Sequence, residues 1–292
     1  MTAPGRRPGH SEPSHREPSP YRGCVIAVGT RHGKQHQWAP AFRDVLGAEL
    51  LTPPDLDTDR LGTFTGETAR KGPAVDAARA KTRLAMTIGD LSYGLASEAS
   101  YGPLPGGWPG HEEILLFCDD VRGIEVLEVH RTPSLPGVSR RVGAFSEIPP
   151  AVLADLPDQA LIVRPAGAAG DIVKGITDAG ALRSAISAAA RNSPDGLAIV
   201  EPDLRAHYNP SRRRVLVDLA DRLARRLATT CPACEAPGFG RVGSEVGLPC
   251  RVCTTPTPRI YSAVHGCAAC AHRVCRPVPG LADPSDCPDC NP

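Results

Sequence analysis

Residues 57–103 read DTDRLGTFTGETARKGPAVDAARAKTRLAMTIGDLSYGLASEASYGP and hold much of the polar chemistry of the chain. The Gly-Pro pair at 72–73 predicts a helix over residues 73–87, because proline fits the first helical position, where an N–H would have no partner. A short apolar strand over residues 93–96 follows and ends near Glu98. A carboxylate at a buried strand end, facing a helix with acids and bases near its start, indicates a metal and phosphate site. A solvated helix beside a strand end is the plainer interpretation.

The segment before this stretch predicts the start of an α/β sheet. Residues 24–28, CVIAV, form an unbroken apolar run that is typical of a strand buried on both faces of a parallel sheet. The loop GTRHGK follows at residues 29–34, and ligands in such sheets bind at the carboxyl ends of strands. Backbone N–H groups with Thr30, His32 and Lys34 can therefore hold a phosphate. An ordinary turn with solvated basic residues fits the same loop.

The next segments indicate that the sheet is mixed. Apolar runs at residues 114–118 and 124–129 predict a hairpin, which adds antiparallel strands. We therefore predict an α/β fold with a mixed sheet and helices on both faces. Residues 130–160 are expected to form a long loop with one short helix, and residues 211–228 a strong amphipathic helix.

Two further polar clusters lie beside predicted strands. His111, Glu112 and Glu113 precede one strand and can be metal ligands, although polar residues at a strand entry are more often plain surface. The loop DLRAHYNP at residues 203–210 follows another strand and precedes the long helix, so it is a second candidate binding loop.

Composition limits the classes of function. The 292 residues suffice for one sizeable domain and a small one, and the net charge of +1 gives no global field toward nucleic acid or membranes. Residues 1–20 are rich in Pro, Ser and Arg and are expected to be a disordered tail. They contain no apolar core of a secretory signal, and no apolar run of membrane-spanning length follows, so we expect a cytoplasmic protein without membrane attachment.

The clearest motif comes last. Nine of the eleven cysteines follow residue 230, and eight form Cys-x-x-Cys pairs: Cys231, Cys234, Cys250, Cys253, Cys267, Cys270, Cys287 and Cys290. Fifteen residues separate the first two pairs and sixteen the last two, which predicts two successive four-thiolate zinc ribbons with structural zinc. Pairing across the two sets stays open, as does replacement of a ligand by Cys275, His265 or His272. The predicted domains are an α/β domain over residues 21–230 and a double zinc ribbon over residues 231–292.

Several motifs together carry a specific resemblance. GTRHGK, DTDRLGTFTGE, ASEASYGP, DLRAHYNP, CPACEAPGFG and CPDCNP resemble a bacterial family known only as a domain of unknown function with a C-terminal zinc-ribbon module. The resemblance covers nearly the whole chain from Tyr21 and implies no established activity.

A remote resemblance covers residues 24–103 and 203–228. Thr30-Arg31-His32-Gly33-Lys34 resembles the S/T-x-x-x-K loop of the inosine/xanthosine triphosphate pyrophosphatases, and DAARAKT at residues 76–82 resembles their E-N-A-x-x-K-A helix without its Asn. Glu98 matches one acid of their strand-end pair, and Arg205-Ala206-His207 with Arg212 is a loose analogue of their base-binding Ser-His-Arg. The resemblance implies Glu98, Asp76, Glu67 and Lys81 as catalytic residues with Mg²⁺, and Thr30, His32, Lys34, Arg205, His207 and Arg212 as phosphate or substrate contacts.

Three hypotheses of function follow. The first is a Mg²⁺-dependent hydrolase of nucleoside triphosphates or related phosphoanhydrides. The second is a non-catalytic nucleotide-binding or interaction protein. The third is a nucleic-acid-associated zinc-ribbon protein, which is less favoured because basic residues in the ribbons are few. A small phosphorylated ligand or nucleotide is the expected partner.

Overall fold

A computed structural model describes residues 19–30, 33–58, 72–104, 107–133, 139–167 and 170–292. The strands are β1 (Val25–Val28), β2 (Glu49–Leu51), β3 (Tyr93–Pro103), β4 (Pro109–Asp119), β5 (Ile124–Thr132), β6 (Arg140–Val142), β7 (Leu161–Pro165), β8 (Val173–Ile176), β9 (Ala198–Pro202), β10 (Gly240–Val246), β11 (Ile260–Gly266) and β12 (Arg273–Pro277). The helices are α1 (Gln35–Ala41), which a π-helical turn over Phe42–Leu46 continues, α2 (Ala74–Gly89), α3 (Pro150–Ala154), α4 (Ala179–Arg191) and α5 (Pro210–Leu227). None of the helices in these ranges has the length and apolar character needed to span a bilayer.

The first sheet has five strands in the order β2-β1-β3-β4-β5 and is mixed, which confirms the predicted class of sheet. β1 pairs in parallel with both β2 and β3, whereas β3, β4 and β5 form an antiparallel meander. The parallel part follows from the helical connections between its strands, and the antiparallel part from short turns.

Helices cover both faces of this sheet. Along β4, Leu115 and Phe117 pack in one core with residues of α1 and α5, and Ile114 and Leu116 pack in another with residues of α2. Alternate residues of a strand point to opposite faces, so the unbroken apolar run of β4 fills two separate cores.

Helix α2 lies close to the sheet because small residues face each other at the contact. A Cβ added to Gly94 would lie 2.5 Å from the Thr82 Cγ2 atom, and one added to Gly29 would lie 2.6 Å from the Lys81 carbonyl oxygen. The absence of side chains at these glycines brings the backbone of α2 directly against the ends of β1 and β3.

The described residues between 139 and 204 form a sheet of their own. Its order is β6-β9-β7-β8 with antiparallel pairing throughout, and α4 covers it with Leu182 and Ile186 in a separate apolar core. This region includes most of the predicted long loop and the strand before the loop DLRAHYNP, and the sequence pattern did not indicate that a second sheet forms here.

The C-terminal region is a three-stranded antiparallel sheet, β10-β11-β12, with Cys-x-x-Cys turns around it. It packs on the first sheet through Arg226 of α5, whose guanidinium donates to the Gly238 carbonyl at 3.0 Å and to the Leu127 carbonyl at 3.0 Å. Ala268 packs against the core that α5 shares with the first sheet.

Candidate functional site

The carboxyl end of β1 is a switch point in the sheet. The chain leaves β1 toward β2 through α1, while α2 crosses the opposite face to reach β3 on the other side of β1. β1 pairs with β3 only at Ala27 and Val28, so the part of β3 from Ser97 onward extends past the end of β1. Such positions are the usual ligand-binding crevices of open α/β sheets.

Six polar side chains meet at this end of the sheet, and we term them the strand-end cluster: Lys34, Lys81, Ser97, Glu98, Glu113 and Arg212. They come from the N-cap position of α1 and from α2, β3, β4 and α5, and therefore from both faces of the sheet. Three of them carry positive charge and two carry negative charge, so the cluster has one cation in excess.

Of the three cations in the strand-end cluster, Lys34 has the weakest charge compensation from a carboxylate. Its Nζ atom donates to the Ser97 hydroxyl at 2.8 Å, and in the described part of the chain the only carboxylate within 4.0 Å is Glu113, at 4.0 Å. The side chain is 13% exposed. Burial, together with the charges of Arg212 and Lys81, lowers the pKa of Lys34 to about 8, although Glu113 and Glu98 act in the opposite direction.

Glu113 and Arg212 form a buried ion pair between β4 and α5. The Nε and Nη2 atoms of Arg212 donate to the Glu113 carboxylate at 2.8 and 3.0 Å, and the ring of His111 lies 3.3 Å from the same carboxylate. Burial alone would raise the pKa of Glu113, but the charges of Arg212 and Lys34 and the His111 hydrogen bond outweigh it and lower the pKa to about 2. Glu113 is therefore ionised at neutral pH.

Lys81 and Glu98 form the pair on the other face. Lys81 Nζ lies 2.5 Å from a Glu98 carboxylate oxygen, and the two side chains are 13% and 12% exposed. Glu98 follows Ser97 directly in β3, so this pair and the Lys34–Ser97 contact flank the same short segment of the strand. Both charge pairs thus adjoin the part of β3 that extends past the end of β1.

Other predicted site residues lie in different surroundings. Asp76 sits in the first turn of α2 and bonds Arg79, which in turn bonds Glu125. Arg205 forms a salt bridge with the buried Asp203, and the ring of His207 lies 4.1 Å from that of Tyr208. Thr30, which follows β1 in the chain, is buried. His32 and Glu67, which were also predicted to belong to the site, lie outside the described residues.

The interpretation of Glu113 as plain strand-entry surface is wrong. Glu113 is fully buried, and the ring of His111 stacks on that of Tyr101 with centroids 4.5 Å apart. The period of the strand could have shown this, because Glu113 shares a face with Leu115 and Phe117 and must therefore point into the core of α5. Glu112, on the other face, bonds the half-exposed Arg131.

The described residues contain no cluster of carboxylates that could bind Mg²⁺ at this end of the sheet. The groups of three or more metal-ligating side chains found there are both made of cysteine. Glu98 is held by Lys81 and Asp76 by Arg79, so the described residues do not support the expected magnesium site.

The four Cys-x-x-Cys pairs combine into two groups in an interleaved order, the first pair with the third and the second with the fourth. One contains Cys231, Cys234, Cys267 and Cys270, and the other contains Cys250, Cys253, Cys287 and Cys290. The sulfurs of each group lie within 4.8 Å of one another. The prediction of two successive ribbons is therefore wrong in its pairing, and the crossed alternative is the one that the fold adopts. Cys275, His265 and His272 belong to neither group.

The cysteine groups have the chemistry of structural zinc sites. Backbone N–H groups donate to the sulfurs, as from Ala233 to Cys231 and from Val252 to Cys250 at 3.5 and 3.4 Å. Four thiolates from two tight turns make a closed tetrahedral donor set, which Zn²⁺ prefers and which leaves no position for a substrate. Both groups could hold zinc for stability of the fold.

The comparisons with known proteins give a family but no activity. Residues 81–292 match the family described as Domain of unknown function (DUF6671). The matched part includes Lys81, Glu98, Glu113, Arg212 and both cysteine groups, and it begins after Lys34. No curated protein and no solved structure shows significant similarity to the chain.

Proposed function

The chain belongs to the DUF6671 family, a domain of unknown function, and we propose that it binds a phosphorylated small molecule, with a phosphate group at the strand-end cluster. The observation that supports this most is the position of Lys34. This cation is largely buried, and its nearest described carboxylate, Glu113, is already paired with Arg212. A buried charge without close compensation is costly, and a bound anion would supply what the protein lacks.

The cluster offers several donors to such an anion. Lys34 and Lys81 supply ammonium groups and Ser97 supplies a hydroxyl, all close to the carboxyl end of β1. Charge-assisted hydrogen bonds to phosphate oxygens are among the stronger interactions available to these groups. Nucleotides are the first ligands to test, because Thr30 and Lys34 stand in a loop that resembles the phosphate loop of nucleotide pyrophosphatases.

Binding alone is the function that the geometry supports best, and hydrolysis is the second candidate. Hydrolysis of a phosphoanhydride with Mg²⁺ would require Glu98 to exchange Lys81 for the metal. The same purified protein distinguishes the two functions, since turnover would release phosphate or pyrophosphate and binding alone would not.

We propose a structural function for zinc. Zn²⁺ would occupy both cysteine groups and hold the turns around β10, β11 and β12, a region with few buried apolar side chains. In this proposal the metal supplies folding energy and takes no part in ligand chemistry.

Replacement of Lys34 by methionine is expected to weaken nucleotide binding by about tenfold or more, because one charge-assisted bond to phosphate is worth about 1.5–3 kcal/mol. Calorimetric titration with nucleoside mono-, di- and triphosphates, beside the matching nucleosides, measures the change. The fold is expected to persist, since methionine fills similar space without a buried charge.

Lys174→Met is the matched control, because Lys174 lies in β8 of the second sheet and its loss removes the same charge. The proposal predicts that this control binds like the natural protein. Equal binding by the Lys34 variant, or binding of nucleosides as tight as that of nucleotides, would contradict it.

A further inference from the structure

A polar cavity lies at the N-terminal end of α5. Its volume is about 260 Å³, and its polar lining includes His111, His130, Asn209, Ser211, Arg212 and Arg214. No carboxylate is among the described residues that line it. The cavity adjoins Arg212 but contains neither of the lysines of the strand-end cluster.

Asn209 lines this cavity and carries an unused hydrogen-bond donor. Its Oδ1 atom accepts from the Arg212 backbone N–H at 2.9 Å as the N-cap of α5. That contact identifies the oxygen, because only an acceptor can face an N–H. The other end of the amide, Nδ2, is buried and has no hydrogen-bond partner among the residues that the structure describes, and Asn209 is 1% exposed. An unsatisfied buried donor is unfavourable, so an acceptor bound in this cavity would be stabilised by it.

The surrounding charge favours an anionic acceptor. Arg214 donates to the Ser211 hydroxyl at 3.3 Å and makes no salt bridge with a described carboxylate. The 18-residue helix α5 directs the positive end of its dipole at the cavity. The nearby carboxylate of Glu113 is already engaged by Arg212 and His111.

A larger cavity shows where the rest of a ligand would lie. Asn209, Ser211 and Arg214 also line a neighbouring space of about 570 Å³, whose walls include Ile148 and Val152. Three carboxylates line that space, namely Asp155, Asp158 and Glu201. These three carboxylates outnumber the two arginines of that space, Arg140 and Arg214, whereas no described carboxylate lines the smaller cavity, so a ligand that spans both spaces would direct its anionic group to the end beside α5.

We propose that the cavity at the N-terminal end of α5 binds the phosphoryl group of a small molecule, whose remainder extends into the larger space. Asn209 Nδ2, Arg214 and the Ser211 backbone N–H would donate to the phosphoryl oxygens, since Pro210 has no N–H and the N–H groups of Arg212 and Arg213 donate to Asn209. This site is separate from the phosphate position proposed at Lys34.

Inorganic phosphate titrated into the full-length chain tests the proposal, with the imidazole NMR signal of His130 as the readout at this cavity. Burial and the charge of Arg222 lower the pKa of His130, so a bound dianion beside it is expected to raise that pKa and shift the signal. The shift should saturate with phosphate at constant ionic strength and persist in Lys34→Met.

Two variants of Asn209 separate binding from helix capping. Asp and Ser cap helices about as well as Asn, so Asn209→Asp and Asn209→Ser should both fold. Asn209→Ser removes the amide donor and is expected to weaken phosphate binding by about tenfold, and Asn209→Asp by about a hundredfold, because it adds a repelling charge. No saturable shift of His130, unchanged affinity in Asn209→Asp, or loss of the shift in Lys34→Met would each overturn the proposal.

Discussion

The chain in which Cys234 and Cys267 are both serine is expected to keep one zinc ion in the presence of a mild chelator, whereas the chain in which Cys234 and Cys253 are both serine keeps none. The sulfurs of Cys234 and Cys267 lie 3.6 Å apart in one group, and Cys253 belongs to the other group. The first double variant destroys one site and leaves four thiolates in the other. The second leaves three thiolates in each site and weakens both.

Zinc content per chain after chelation, measured by mass spectrometry, decides between the pairings. The effect should be large, because structural zinc contributes about 10–16 kcal/mol of binding energy in small domains that fold around it. Successive ribbons would give the reverse pattern, with no zinc kept by the Cys234 and Cys267 variant and one by the Cys234 and Cys253 variant. Full zinc content in both variants would contradict a structural function for these cysteines.

Glu113→Gln is expected to lower the free energy of unfolding by about 3–5 kcal/mol, the usual cost of breaking a buried ion pair from one side. Glutamine has nearly the same shape, but it leaves the buried guanidinium of Arg212 and the ammonium of Lys34 without their shared carboxylate. Urea unfolding followed by circular dichroism measures the change. Glu112→Gln is the matched control, because its partner Arg131 is half exposed, and such pairs contribute about 0–1 kcal/mol.

The difference in the free energy of unfolding between the natural chain and Glu113→Gln should also depend on pH. The pKa of Glu113 is lowered to about 2 in the folded chain, against an ordinary value of 4.5. The stabilisation by the ionised carboxylate is therefore complete above the unfolded pKa and is lost as the pH falls toward 2. The gap between the natural chain and Glu113→Gln should be constant near neutral pH and narrow below about 4.5. A gap that stays constant into acid would contradict ionisation of Glu113.

Local patterns predicted the elements that surround the strand-end cluster. The apolar run at residues 24–28 and the Gly-Pro start near residue 72 correspond to β1 and α2. The mixed character of the first sheet followed from the hairpin pattern of β4 and β5. These features depend on neighbours in sequence, so periodicity and turn residues are sufficient to indicate them.

Long-range pairing could not be predicted in the same way. Spacings of fifteen and sixteen residues fit both successive and interleaved cysteine groups, and the choice is made by the sheet β10-β11-β12 that joins the turns. The separate sheet of β6 to β9 depends likewise on contacts between distant residues. The ion pair of Glu113 with Arg212 joins residues 99 positions apart, although the period of the strand could have shown that Glu113 lies inside.

Selective ¹³C labelling of lysine, followed by pH titration of the Lys34 signal with and without a nucleotide, tests phosphate binding at the strand-end cluster most directly. The chain has four lysines, so the spectrum should be simple. We predict that Lys34 titrates near its lowered pKa of about 8 in the free protein and that a bound phosphate raises this pKa. Correspondingly, nucleotide affinity should fall as the pH rises through about 8. A Lys34 signal that titrates at the ordinary lysine value, or that no phosphorylated ligand shifts, would contradict the proposed function.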